Sequence, residues 1–225
     1  YKPEGWNPPA ATTSAAGVVQ KAEFAPGEMI KTWQFYCLWL VYFLGTSVGI
    51  TAIGQAVPVM KGMAATSAIM SAAAALGLMS AFNGVGRLAF GATSDKIGRK
   101  PTTVVMFVCY IVACLFLLRN TTNFITALAG VCLVGFSYGG YLAMMPSFTA
   151  DFYGAKNVGA NYGIVFTAWG ICGFIVPAYF AGIVAAAKAA GNVAAGYNQT
   201  YFSLAGFCVV GIILVLVVTK PTRDA

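Results

Sequence analysis

Residues 80–100 read S-A-F-N-G-V-G-R-L-A-F-G-A-T-S-D-K-I-G-R-K. The stretch closes a long apolar segment, holds the one arginine of that segment, and ends in a knot of charge at Asp95, Lys96, Arg99 and Lys100. That segment is the second of six, near Trp33–Val57, Thr66–Thr93, Pro101–Leu118, Phe124–Met145, Tyr162–Ala186 and Tyr201–Val218. Each is about long enough to cross a hydrocarbon core of about 30 Å as a helix. The pattern predicts an all-α membrane protein, a bundle of six transmembrane helices.

Composition supports that class. The chain is 59% hydrophobic and 8% charged, where soluble domains carry about 25% charged residues. The net charge of +7 therefore has to be sorted by side of the membrane and does not point to a nucleic-acid partner. Nine basic residues fall on the side of the N-terminal segment, against Lys61, Arg119 and Lys188 opposite. Positive charge stays inside, so the N-terminal segment, the 91–100 turn and the C-terminus are expected on the cytoplasmic face of a plasma or inner membrane.

Residues 1–28 are rich in Pro, Ala, Thr and Gly and read as a cytoplasmic linker, with 29–225 as the helical bundle. Trp33 and Tyr36 are expected at headgroup depth. The chain reads as one half of a longer protein. All six cysteines lie in apolar segments without a C-x-x-C pair, and there is no histidine. The cysteines are expected to be small buried hydrophobes, and neither a metal nor a cofactor is expected. Gly45/Gly49 and Gly135/Gly139 repeat at four-residue spacing, which lets neighbouring backbones approach.

Arg87 is the only charge well inside an expected span. A basic residue at mid-membrane costs about 2.5–3.5 kcal/mol, so it needs a partner, a wet cavity or an escape to the interface. Arg87 lies about 9 Å from the helix end. Its side chain leans toward the helix N-terminus, away from the nearer headgroups. Ser80, Asn83, Gly84, Gly91 and Ser94 share its face. Arg87 is expected to face a cavity, where a guanidinium grips a carboxylate with two parallel hydrogen bonds. Tyr138, Tyr141 and Gln55 could add hydrogen bonds to that carboxylate, or could serve packing and the interface instead.

The turn G-A-T-S-D-K-I-G-R-K, with Gly91, Asp95, Gly98, Arg99 and Lys100, resembles the signature loop of the major facilitator superfamily, G-x-x-x-D-[RK]-x-G-R-[RK]. Asp95 ends one helix there and faces either the basic residues of the loop or another helix's N-terminus. Such a contact holds one conformation and must break for the other. The resemblance makes it a gating element apart from the substrate. The loop follows the second span of a piece that opens with a linker, so the resemblance implies the C-terminal half of a major facilitator fold, spans seven to twelve. The missing partner would be an N-terminal six-helix half.

The runs F-N-G-V-G-R-L and G-G-Y-L-A-M-M-P-S-F-T-A-D-F-Y-G-A-K-N-V-G-A-N-Y-G resemble the oxalate/formate antiporter family, relatives of the monocarboxylate carriers. The resemblance implies secondary transport of small carboxylates, with Arg87 as anion ligand, Trp169 shaping the pocket and no chemistry on the substrate. Carriers of oxalate in that family have an aromatic-x-x-Lys pattern where this chain has Phe166-T-A-Trp169. One cation suits a monoanion such as formate or lactate better than oxalate. Proton-coupled relatives have an aspartate where Asn83 stands. Two rival classes are an intramembrane serine hydrolase, from the G-x-S-x-G match at Ser137, and a self-contained six-span channel or structural membrane protein.

Overall fold

The computed structural model describes residues 23–61, 72–119 and 122–222. The linker up to residue 22, the expected start of the second span at Thr66, and Arg223 lie outside the described residues. Among the described residues a short helix α1 (Pro26–Met29) precedes α2 (Trp33–Lys61), α3 (Ala72–Ile97), α4 (Arg99–Val112), α5 (Phe124–Tyr153), α6 (Val158–Ala189) and α7 (Val193–Val217). α4 continues as a π-helical run, Ala113–Leu118. Its last bond, from the Arg119 N–H to the Cys114 carbonyl at 3.1 Å, spans five residues.

Six of these helices are long and apolar enough to cross a membrane. A spanning helix satisfies its own backbone, so its ends are set by local hydrogen bonding more than by hydropathy. Helix ends are where the structure departs from the sequence reading. α3 runs to Ile97, and the expected turn shrinks to Gly98, whose φ of +94° only glycine adopts cheaply. α5 runs past Pro146 to Tyr153 because buried Phe148 and Phe152 hold its last turns in the core.

α7 begins at Val193, eight residues before the expected Tyr201. Its polar first turns satisfy themselves. Asn192 accepts the Ala195 N–H at 3.1 Å, and the hydroxyls of Thr200 and Ser203 donate to the Gly196 and Gln199 carbonyls at 2.9 Å.

α2 and α5 are the most enclosed spans, and α3 and α6 the most exposed. α3 packs on α5 closely enough that a Cβ at Gly86 would sit 1.9 Å from the Phe136 carbonyl oxygen. One at Gly139 would sit 1.9 Å from that of Asn83. Gly45 and Gly49 do something else. They leave notches in α2 filled by the rings of Tyr141 and Tyr138, so the expected backbone approach there is a ring-into-helix contact.

The segment before α2 is docked on the α5–α6 connection. The Glu23 carboxylate accepts the N–H groups of Ala155 and Lys156 at 3.3 and 2.9 Å. The Phe24 N–H donates to the Tyr153 carbonyl at 3.0 Å. The Phe24 carbonyl accepts from the amides of Asn157 and Asn161, each at 3.1 Å. The linker boundary expected after residue 28 thus falls inside a docked segment.

Candidate functional site

The α3–α5 contact builds the site. With the two backbones touching at Gly86 and Gly139, Asn83 reaches across and donates its amide N–H to the Gly135 carbonyl at 3.2 Å. Its Oδ1 faces back along α3 and accepts the Arg87 Nε–H at 3.4 Å. The guanidinium is exposed beside a cavity of about 310 Å³, lined also by Ile53, Met79, Ser80, Asn83 and Tyr138. Arg87 is the only cation among the lining residues. The structure therefore brings together Arg87, Asn83 and Tyr138.

Trp169 joins them from α6. Its indole N–H donates to the Tyr138 hydroxyl at 2.8 Å. The indole stacks on Phe166 at 5.2 Å between centroids and 7° between planes.

Two expected members lie elsewhere. Tyr141 is fully buried, and its hydroxyl donates to the Val41 carbonyl. Gly45 has no side chain to cover that carbonyl, so the ring drops into the gap. Gln55 faces a different cavity, of about 600 Å³, with Thr51, Pro58, Pro177, Lys188 and Tyr197 among α2, α6 and α7. Two residues along a helix turn the side chain by about 200°, so Gln55 points away from the side that Ile53 presents to Arg87.

Ser137 lies buried in the middle of α5 and not on a strand-to-helix elbow, the geometry a G-x-S-x-G nucleophile requires.

The charged turn forms a separate site at the C-terminal end of α3, beyond Arg87. The Arg99 guanidinium pairs with Asp95 at 2.7 Å and with Asp151 of α5 at 3.2 Å, and it donates to the Ser94 hydroxyl. The Ser94 hydroxyl in turn donates to the Gly91 carbonyl at 2.8 Å. Lys100 donates to the Leu216 carbonyl of α7 at 3.1 Å. Asp95 thus takes the first of its two expected partners, a basic residue of the loop.

Asp151 was missed by the sequence reading. A signal existed: between Glu28 and Asp224 the chain has just two acids, Asp95 and Asp151. The two pairs differ in weight. The Asp95 side chain is 67% exposed and that of Asp151 30%. An exposed pair contributes about 0–1 kcal/mol, so the pair with Asp151 is the stronger tie.

Six membrane-length helices among the described residues define an integral, multi-pass membrane protein, with a cavity that holds one cation and a charged turn at the C-terminal end of α3. The chain belongs to the Major Facilitator Superfamily, whose family model matches residues 2–177. It is 31% identical over 155 residues to the uncharacterized MFS-type transporter YhjX of Escherichia coli strain K12, covering 69% of this chain and 38% of that protein. It is 30% identical over 152 residues to the oxalate:formate antiporter of Oxalobacter formigenes, covering 67% and 36%. It is 36% identical over 94 residues to apicoplast pyruvate carrier 2 of Toxoplasma gondii, covering 41% and 14%. The chain spans less than two fifths of the length of the curated relatives it matches.

Proposed function

We propose that this chain is the C-terminal six-helix half of a secondary carrier that moves small monocarboxylates by alternating access. The observation that carries the reading is the cavity in which Arg87, oriented by Asn83, stands with Tyr138. Two similar proteins are named for small carboxylates, an oxalate:formate antiporter and a pyruvate carrier. A single guanidinium balances one carboxylate, which favours formate, lactate or pyruvate over oxalate. No bond of the substrate is broken; the carrier binds, rocks and releases.

Arg99, tied to Asp95 and Asp151, closes the end of the bundle that we place in the cytoplasm, and separates when that end opens. Asn83 does not titrate, so the pair it forms with Arg87 cannot carry a proton, and exchange of one anion for another is the expected coupling.

The test is uptake of labelled formate, lactate, pyruvate and oxalate into proteoliposomes holding the full-length protein, with and without unlabelled anion inside. Saturable, counter-anion-stimulated uptake of a monocarboxylate is expected. Arg87→Ala should lower kcat/KM at least about tenfold, the equivalent of about 1.4 kcal/mol. Saturable uptake that survives Arg87→Ala intact would sink the reading.

A further inference from the structure

The hydrogen-bond inventory of the Arg87 cavity gives Trp169 a task beyond shaping the pocket. Four polar side chains line the cavity: Ser80, Asn83, Arg87 and Tyr138. The Ser80 hydroxyl donates to the Leu76 carbonyl at 3.0 Å. Asn83 gives one of its two amide N–H groups to the Gly135 carbonyl, and its oxygen accepts from Arg87. Asn83, through its second amide N–H, and Arg87, which can only donate, still have donors to offer a ligand, and the Tyr138 hydroxyl can donate or accept.

Left alone, a tyrosine hydroxyl would serve a carboxylate as a donor or a neutral acid or amide as an acceptor. Trp169 removes that choice. An indole N–H is a donor only, and at 2.8 Å it holds the Tyr138 oxygen as its acceptor. The hydroxyl hydrogen is thereby turned away from the indole. Both partners are held. The Tyr138 ring fills the notch at Gly49, and the indole lies flat on Phe166.

We infer that Trp169 is a positioning residue that fixes Tyr138 as a hydrogen-bond donor, so that the cavity accepts ionised carboxylates and rejects their neutral acid and amide analogues. The inference rests on the carboxylate reading above. It adds a source of selectivity distinct from the charge of Arg87, because a guanidinium attracts any acceptor, whereas a one-way hydroxyl penalises a ligand that must donate.

The experiment uses the full-length protein in proteoliposomes. KM is measured for labelled formate, lactate and pyruvate, and inhibition constants for formamide, lactamide and pyruvamide. Wild type, Trp169→Phe, Tyr138→Phe and the double variant are compared, with Arg87→Ala alongside. Trp169→Phe should raise KM about fivefold with a smaller change in maximal rate, and narrow the carboxylate-to-amide ratio by a similar factor. In the Tyr138→Phe background it should add almost nothing.

An unchanged ratio in Trp169→Phe, or effects that multiply in the double variant, overturns the role of Trp169. If Trp169→Phe fails to reach the membrane, benzothienylalanine at position 169 keeps the ring shape without the N–H, and the same ratio decides. Survival of saturable uptake in Arg87→Ala overturns the carboxylate reading itself, whereas a null result confined to Trp169 leaves that reading standing.

Discussion

A guanidinium inside a spanning helix costs about 2.5–3.5 kcal/mol unless something offsets it, and Arg87 meets only a partial offset within its own helix. Asn83 accepts one of its five N–H groups at 3.4 Å, a long contact with an uncharged acceptor. That leaves the outward face of the guanidinium under-satisfied, the state an anion site requires. Filling that need from within should disable it. Asn83→Asp would place a carboxylate within reach of Nε, compete with the substrate anion, and raise KM about tenfold in an uptake assay near neutral pH. Acidification through the range where the introduced carboxylate takes up a proton should remove the competing charge and lower KM again, whereas wild type, with an amide at position 83, should lack that component.

Helix pairing makes sharper demands than any single polar contact. At Gly86 and Gly139 the atoms a Cβ would meet are backbone carbonyls 1.9 Å away, which no rotamer change can clear. Alanine at either position must push α3 and α5 apart, with a cost of about 1–3 kcal/mol for overpacking. A lowered thermal midpoint in detergent is the expected result for both. Gly84→Ala is the matched control, because it meets nothing within 4 Å and should leave the midpoint nearly unchanged. At the α5–α6 connection, Glu23→Ala should lower the midpoint by a smaller amount, because it strips the acceptor from two backbone N–H groups. Glu23→Gln, which retains a side-chain oxygen, should recover part of the loss.

For the molecule as a whole, the question is what holds one end of the bundle closed. Arg99 ties α3 to α5, and Lys100 ties the same turn to the end of α7. A cavity of about 480 Å³ opens there, with Thr219 and Lys220 on its wall. In the full-length protein, Asp151→Asn should shift the population toward the state with this end open. Asp95→Asn should do so less, since its pair is mostly exposed. The rate at which a thiol reagent labels cysteine introduced at Thr219 reads that shift. Faster labelling in Asp151→Asn than in Asp95→Asn is expected, and the reverse order would move the latch to Asp95.

The amino-acid sequence by itself determined the existence of six spans, the charge asymmetry, the isolation of Arg87 and the cluster of charge at 95–100. Each rests on a cost that local composition reveals, because an unpaired charge or backbone group in lipid is expensive wherever the fold puts it. Tertiary structure decided which side chains meet. Asp151 and Arg99 are 52 residues apart, and so are Asn83 and Gly135. Tyr138 reaches the cavity while Tyr141, three residues on, is buried against Val41. Those outcomes follow from how far each helix is rotated and how closely its neighbour approaches. Glycine–carbonyl contacts between distant segments set both, and although the Gly135/Gly139 spacing marks a face for close approach, no periodicity within one span names the helix it meets.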